Sequence, residues 1–568
     1  MESAAQEVGL VLRDELHELL KAAIERAIED GQFPPQAREV AFALDTPPRP
    51  ELGDFSSNAA LVLAKTVRQA PRQVAEAIVQ RLGEHELVEK VEIAGPGFIN
   101  FHLAPAWLES AVAQVLEQGE EYGRSDWGEG RAVQVEYVSA NPVGPLHIGN
   151  ARGGPYGDVV ANLLEATGHQ VQREYYINDG PANTQVQVFG ASVQARYLEL
   201  LGEDVTFPKE GYQGEYVTDL AMELVGKYGD KYRDVPRDAE GAYQFFQLLA
   251  DRMVEMLQQD CEALGLHFDV WFSESSLGES GTISKVVALL QERGAAYEAD
   301  GAVWLKATEF GDEEDRVLVR SNGATTYIAS DAAYAYNKFI ERDFEHVIYV
   351  WGPDHAGYIP RLKAAVAALG VDPDHAEIII YQTVRFLRGG EPLRLSKRRG
   401  AIVPIREIVE EIGLDATRFF FLLRSVDAHL DFDLDLAKQK TEENPVYYVQ
   451  YAHARICSLQ REAETRGFEQ TSSPRLELLT DPAERDLMRA IMEYPRLVSG
   501  AARDRAPHRL THFAVDLARR FHQFYDRCRV LAPEEPELSQ ARLALAQATA
   551  QVLRNLLGLL GVEAPESM

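Results

Sequence analysis

Apolar residues return every three or four positions over Val11 to Ile28, Ala59 to Val67 and Pro71 to Leu82, the period of a helix with one buried face. Val88 to Ala94 and Phe98 to Leu103 are strand-like instead, hinged by Gly95-Pro96-Gly97. A Pro-rich break, Thr46 to Pro50, precedes Gly53-Asp54-Phe55-Ser56-Ser57-Asn58, where Asp or Ser is placed to cap the helix starting at Ala59. Residues 1–105 therefore predict a small α+β domain. From 106 to 440 helical patterns alternate with β-rich runs at Val133 to Val138, Val171 to Ile177, Val317 to Val319, His346 to Trp351 and Ile378 to Thr383. That alternation predicts a parallel, doubly wound sheet of Rossmann type with ligands over the carboxyl ends of its strands, where His147 and Asp354-His355 fall. Residues 190–310, helical and charged, read as an insertion between the halves of the sheet. Over 441–568 no strand pattern survives, and Tyr447 to Arg461, Pro482 to Leu497, Pro507 to Val530 and Leu538 to Leu560 predict an all-α bundle. The expected fold class is multidomain: α+β, then α/β with a helical insertion, then all-α.

Two segments carry candidate chemistry. The run Val133 to Tyr137 enters a turn at Pro142-Val143-Gly144-Pro145 and then a helix start at His147-Ile148-Gly149-Asn150. A helix N-terminus offers unpaired N–H groups and the positive end of the helix dipole, which suits a phosphate. His147 and Asn150, three apart, share one face, and Gly149 leaves no side chain between them. Taken alone, a capping His is as readily structural. The second segment, Arg394-Leu395-Ser396-Lys397-Arg398-Arg399-Gly400, crowds cations and a hydroxyl before a glycine. It suits a loop closing over a polyphosphate, with a solvated basic turn as the plain alternative.

Composition sharpens this picture. A chain of 568 residues with 46% hydrophobic content has room for several full cores. Cys261, Cys457 and Cys528 are far apart, so no disulfide framework or structural zinc is expected, only buried thiols. No uninterrupted apolar run approaches the ~20 residues that span a bilayer, so the expectation is a soluble chain without a membrane partner. The net charge of −32 opposes long-range attraction to nucleic acid, and any RNA must be held on confined basic surfaces. Candidates are Arg394 to Arg399 and the cluster Arg503, Arg505, His508, Arg509, Arg519, Arg520, Arg527 and Arg529, the latter equally readable as a solvated helical face.

Together the His147 and Lys397 segments, 250 residues apart, resemble the paired HIGH and KMSKS signatures of class I aminoacyl-tRNA synthetases. Further motifs, spread over essentially the whole chain, resemble the arginyl-tRNA synthetase family. They are Glu136-Tyr137-Val138-Ser139-Ala140-Asn141-Pro142, Tyr175 to Asp179, Tyr327-Ile328-Ala329-Ser330-Asp331, and Asn444 to Arg455, together with an N-terminal added domain.

This resemblance implies an arginine–tRNA ligase that activates L-arginine with ATP and magnesium, then charges tRNA(Arg). It implies a cytoplasmic monomer that commonly needs bound tRNA before activation. His147, Gly149, Asn150, Ser396, Lys397 and Arg398 would hold ATP, with His147, Asn150 and Lys397 acting on the chemistry. Asp331 would bind the guanidinium, a planar fork of five donors matched by carboxylates, with Tyr327 and Glu136 assisting and Asn141 holding the α-amino or α-carboxylate group. One helical turn apart, Tyr327 and Asp331 suggest that the phenol orients the carboxylate; a core aromatic and a surface acid are their plain readings. Phe98 and Asn100, on one strand face, match the family's tRNA D-loop pair, against a core Phe98. Tyr448, Tyr451 and His453 would open the anticodon-binding domain, unless they are packing residues. Two departures stand out. Tyr358 occupies a place where several family members have a Gln near the α-amino group, and Asn150 replaces the final His of HIGH, leaving charge neutralisation to Lys397, Arg398 and magnesium. The alternative function is a synthetase-like RNA-binding protein without aminoacylation activity.

Overall fold

The computed structural model describes the chain except residues 1–7, 46, 48, 50, 51, 84, 86, 87, 393–402, 469, 470 and 472; the side chains of 8–14 and 150 are likewise outside the description. At the N-terminus, helices Val8–Glu29, Ala59–Val67 and Pro71–Leu82 cover one face of an antiparallel sheet. Its strands are β1 (Leu44–Asp45), β2 (Phe55–Ser57), β3 (Val88–Ala94) and β4 (Phe98–Leu103), in the order β1-β2-β4-β3. Along β4 the alternate residues Ile99, Phe101 and Leu103 are buried toward the helices. Strands β1 and β2, two and three residues long, are too short to show alternation and were not anticipated. The hinge needs glycine at Gly97, whose φ is +143° and whose added Cβ would lie 2.8 Å from the Pro71 backbone. Asn58 occupies the N-cap position of the Ala59 helix, and Ser57 Oγ accepts from Ala59 N at 3.1 Å. Asp54, a suggested cap, instead accepts from Leu103 N at 2.7 Å and pairs with Arg489 of the C-terminal bundle, tying the two ends of the chain together.

The central domain contains β5 (Ala132–Glu136), β6 (Gln170–Ile177), β7 (Val270–Ser273), β8 (Ala296–Ala299), β9 (Ala302–Leu305), β10 (Arg316–Val319), β11 (His346–Trp351), β12 (Ala376–Ile380), β13 (Val384–Arg388), β14 (Glu391–Pro392) and β15 (Leu430–Asp433). Five of these form an all-parallel sheet in the order β12-β11-β5-β6-β7. Two expectations are corrected. The run at Val317 to Val319 belongs to an antiparallel sheet of order β10-β9-β8 rather than to the parallel one. Conversely β7, inside the stretch expected to be helical, is an edge strand of the parallel sheet, where Trp271 stacks on Tyr175 with ring centres 4.3 Å apart. The helical part of the insertion, Thr184–Leu200 to Ala250–Ala263, has its own core around Phe189, Tyr197, Phe245 and Phe246.

Helices Pro445–Thr465, Pro482–Arg503, His508–Arg527 and Pro536–Leu560 make the C-terminal bundle. Asp481 and Glu484 form a reciprocal capping box on the second. The last is long and apolar enough to span a bilayer, but most of its apolar length is buried in the bundle. Buried Arg418 locks the bundle to the helices of the central domain, donating to Leu560 O at 3.0 Å and Leu264 O at 3.0 Å and pairing with Asp158 at 2.5 Å.

Candidate active site

In the parallel sheet the chain runs outward from β5 through β6 and β7, then returns to β11 on the other side of β5. Loops leaving β5 and β11 therefore diverge and open a crevice at their carboxyl ends. A cavity of about 630 Å³ lies there, bordered by Glu136, Ser139, Asn141, His147, Tyr327, Asp331, Trp351 and Tyr358. Its wall after β5 is a sharp turn in which Val138 (φ 68°) and Ser139 (φ 38°) are left-handed. Such backbone costs about 1–3 kcal/mol at a residue such as Val and must be held from outside. The holding bonds are Ser139 N to Tyr137 O at 3.0 Å, Tyr176 N to Ser139 Oγ at 3.1 Å, and Ser139 Oγ to Glu136 Oε1 at 3.3 Å.

The turn delivers Asn141 to a polar network at the start of the Thr184–Leu200 helix. Its Nδ2 donates to Gln185 Oε1 at 2.9 Å, and its Oδ1 accepts from Asn183 Nδ2 at 3.0 Å. His147 is the N-cap of the short Ile148–Ala151 helix, its Nδ1 accepting from Gly149 N at 3.1 Å. That bond puts the imidazole proton on Nε2, and burial lowers the ring's pKa, so His147 is a neutral Nε2–H donor. A Cβ on Gly149 would lie 2.9 Å from the His147 ring. Only glycine leaves this edge open.

Asp331 and Glu136 border another part of the same cavity, and Glu274 lies near Asp331 without bordering it. Asp331 stands on the Tyr327–Tyr336 helix, and Tyr358 donates a hydrogen bond to its Oδ2. Burial, aided by the charges of Glu274 and Glu136, pushes its pKa up to about 7 against the opposing pull of the Tyr358 hydrogen bond and Lys338. Glu274 is 5% exposed, and its Oε2 has no hydrogen-bond partner among the described residues. Burial raises its pKa, while bonds from Ser330 and the Gly180 amide lower it. A Cβ on Gly180 would come within 2.7 Å of the Glu274 carboxyl carbon, so a larger residue there would displace that carboxylate. Glu136 is only 4% exposed and receives Lys338 Nζ on Oε2 at 2.5 Å.

Against the expectations, the Tyr327 phenol does not orient Asp331. It donates to Ala182 O at 2.7 Å and accepts from Thr184 N at 3.3 Å, leaving its 45%-exposed ring at the cavity mouth. Tyr358, from the turn after β11, takes the orienting place. Among functional candidates, Tyr358's bond to Asp331, Glu274 and Lys338 were not read from the sequence. Lys338 had a signal, since it continues the spacing Tyr327, Asp331, Tyr334 by four residues. Glu274 had none, lying just after the unanticipated β7.

Ser396, Lys397 and Arg398 lie outside the described residues, as does the Asn150 side chain. The chain flanking the basic segment is described: Pro392 pairs with Leu387, while Val403 O accepts from Ile148 N at 3.4 Å and Ile405 N donates to Leu146 O at 2.9 Å. Arg152, 2% exposed, fastens the His147 helix to the same region through Gln382 O at 3.0 Å, Ser425 O at 2.8 Å and Ala428 O at 2.7 Å. Among the described residues no three His, Cys, Asp or Glu side chains gather to hold a metal ion.

The RNA candidates separate. Phe98 is exposed at 38%, not core, whereas Asn100 on the same strand face is buried and accepts from Ser56 Oγ at 2.6 Å. A buried, occupied carboxamide does not present an edge to a base. Tyr448 and Tyr451 are half-buried around His522, and Arg455 lies 4.2 Å over the Tyr525 ring. His453 instead is fully buried, bonded to Pro565 O at 2.9 Å, and so holds the end of the chain rather than facing RNA. Most of the C-terminal cations are neutralised: Arg505 by Glu377, Arg509 by Asp504, Arg519 and Arg520 by Asp516, Arg527 by Asp481 and Arg529 by Glu534.

Three families match successive parts of the chain: the arginyl tRNA synthetase N terminal domain over residues 14–103, the class I (R) tRNA synthetase catalytic domain over 111–420, and the DALR anticodon binding domain over 449–568. An arginine–tRNA ligase from Moorella thermoacetica is 50% identical, covering 93% of this chain and 94% of the relative. Another from Carboxydothermus hydrogenoformans is 47% identical, covering 97% of each. The solved arginyl-tRNA synthetase of Thermus thermophilus shares the fold, with a TM-score of 0.74 at 24% identity over 98% of this chain and all of that one.

Proposed function

The chain belongs to the arginyl-tRNA synthetase family and is an arginine–tRNA ligase of class I, and we propose that the β5/β11 crevice is where it activates arginine. The observation carrying this assignment is one cavity with carboxylates at one part and a helix-capping histidine donor at another. The arginine side chain enters with its guanidinium toward Asp331, held ready by Tyr358, with the charge of Glu274 nearby. Asn141, fixed by Asn183 and Gln185, takes the α-amino or α-carboxylate group, and the exposed Tyr327 ring closes the mouth. Glu136 assists from the floor.

The arginine carboxylate then attacks the α-phosphate of ATP in line, forming arginyl-adenylate and releasing pyrophosphate. Catalysis here rests on positioning and on electrostatic stabilisation of charge on the phosphate oxygens. His147 donates from Nε2, and the amides following it point the positive helix end at the phosphates. Gly149 lets the nucleotide approach. Lys397, with Ser396, Arg398 and the magnesium that accompanies ATP, meets the leaving pyrophosphate; the pairing of Val403 and Ile405 beside His147 supports this neighbourhood. A terminal ribose hydroxyl of tRNA(Arg) next attacks the adenylate carbonyl and releases AMP. For tRNA contacts we assign Phe98 as a stacking surface and Tyr448 and Tyr451 as part of the anticodon surface. A cytoplasmic monomer and tRNA-dependent activation belong to the same proposal. ATP–pyrophosphate exchange with each of the twenty amino acids, with and without tRNA, tests it: exchange with arginine alone, only when tRNA is present, is expected. Exchange with another amino acid, or none under either condition, overturns the assignment.

A further inference from the structure

The Tyr327–Tyr336 helix passes into a π-helical turn at Asn337–Glu341. Tyr327, Asp331, Tyr334 and Lys338 follow at steps of four, three and four, which sets them along one face. The first three border the cavity. Lys338 is fully buried beneath it. Its Nζ lies 2.5 Å from Glu136 Oε2 and 4.0 Å from Glu174 Oε1, and 4.0 and 4.2 Å from the ring centres of Tyr334 and Tyr349. The ammonium is thus faced by Glu136 from β5, Glu174 from β6, Tyr349 from β11 and Tyr334 from its own helix, with Arg342 beyond. Glu174 already has other partners, receiving the Tyr334 hydroxyl and Arg342 Nη2, the latter at 2.6 Å. Among the described residues Glu136 has only Lys338 and the longer bond from Ser139. Lys338 is therefore chiefly the countercharge of Glu136.

We propose that Lys338 is a positioning residue for arginine activation, an internal cation that holds Glu136 in the pocket floor and leaves Asp331 to meet the substrate's charge. A buried ion pair seldom stabilises a fold better than apolar side chains of the same volume, so this one is better explained by the pocket it underlies. Glu136 and Asp331 border the site, with Glu274 near Asp331, and the site must carry negative charge to hold the guanidinium. Without an interior cation Asp331 would take up a proton more readily, because like charges in a water-poor cavity oppose one another. Lys338 supplies that charge without entering the cavity, so it does not compete with arginine for the carboxylates. Its effect on catalysis runs through Glu136 and Asp331, not through contact with substrate.

The proposal rests on this cavity being the arginine site, and the test separates the two. Lys338→Met, Glu136→Gln and the double variant are compared with wild-type full-length enzyme by arginine kcat/KM and ATP KM from pH 6 to 9, tRNA present, with a thermal melt of each. Lys338→Met should raise the acid limb of the arginine profile by about one pH unit, the scale on which a close charge moves a carboxylate. Glu136→Gln, leaving the cation uncompensated, should lower it. The double variant should bring it back toward wild type, with ATP KM within twofold throughout. An acid limb unmoved in both single variants would reduce Lys338 to a structural residue. Should Lys338→Met not fold, Glu136→Gln decides: an unmoved or raised limb overturns the proposal. If Asp331→Asn leaves arginine KM unaltered, the arginine site itself is misplaced, and Lys338's role in it falls as well.

Discussion

Replacing Asp331 by Asn keeps the shape of the side chain while removing its charge, and the structure sets the size and pH dependence of the result. A hydrogen bond to a charged group contributes about 1.5–3 kcal/mol, so at pH 8 the arginine KM should rise about 10- to 150-fold. ATP KM should be unchanged, since His147 and its helix are untouched. In the unliganded enzyme Asp331 titrates at about 7. From the Henderson–Hasselbalch relation it is roughly nine-tenths ionised at pH 8 and one-tenth at pH 6. Arginine needs the ionised form, and its cation pulls the pKa down in the complex, so binding releases a proton as pH falls below 7. Wild-type kcat/KM for arginine should therefore fall about tenfold from pH 8 to pH 6, whereas Asp331→Asn should be flat over that interval. The difference between the two enzymes narrows to about 1- to 15-fold at pH 6. Tyr358→Phe removes the hydrogen bond that favours the charged carboxylate, and its acid limb should move to higher pH. Initial-rate aminoacylation at saturating tRNA and fixed ionic strength reads all three profiles. A wild type flat between pH 6 and 8, or an Asp331→Asn variant that keeps the acid limb, would refute the assignment of that limb to Asp331. Equal loss of arginine and ATP affinity would mean a structural role.

Phe98→Ala should weaken tRNA binding by about 1–3 kcal/mol through lost stacking with no change in thermal stability, while Asn100→Ala should lower stability through the lost Ser56 bond; filter binding at stated salt paired with a melt distinguishes them, and an unchanged tRNA affinity in Phe98→Ala removes the contact. Lys397→Ala should slow single-turnover adenylate formation far more than it weakens arginine binding, because its charge acts as pyrophosphate charge develops; an unaltered rate would take Lys397 out of the chemistry. His453→Leu should cost about 0.5–1.5 kcal/mol of stability from the lost bond to Pro565 and leave tRNA affinity within twofold, whereas a large loss of tRNA affinity at normal stability would return His453 to the RNA surface.

Much of the architecture was legible in the chain because its elements are long and strongly periodic. The expected helices at Ala59 to Val67 and Pro71 to Leu82 and the strands at Val88 to Ala94 and Phe98 to Leu103 have the observed bounds, and four helices were anticipated after residue 440. His147 at a helix N-terminus was likewise written in its Pro/Gly turn and the apolar alternation before it. Strands β1 and β2 escaped because two and three residues are too few for a period to emerge, and β7 because its short run follows a long helical stretch. The antiparallel pairing of Val317 to Val319 escaped for another reason. A strand pattern does not say which strand it will meet.

Side-chain partners were decided by the tertiary structure alone. Helical spacing put Tyr327 and Asp331 on one face, yet the phenol bonds to Ala182, brought from 145 residues away, and the carboxylate receives Tyr358 from the loop after β11. Strand parity put Phe98 and Asn100 together, but Ser56 on the neighbouring strand covers Asn100 while Phe98 stays exposed. His453 sits among aromatics in sequence and is spent on a bond to Pro565 near the chain's end. Periodicity specifies the direction in which a side chain leaves the backbone, whereas a hydrogen bond or ion pair also requires a second group at about 3 Å, and for these residues that group comes from a distant part of the chain which only folding brings near.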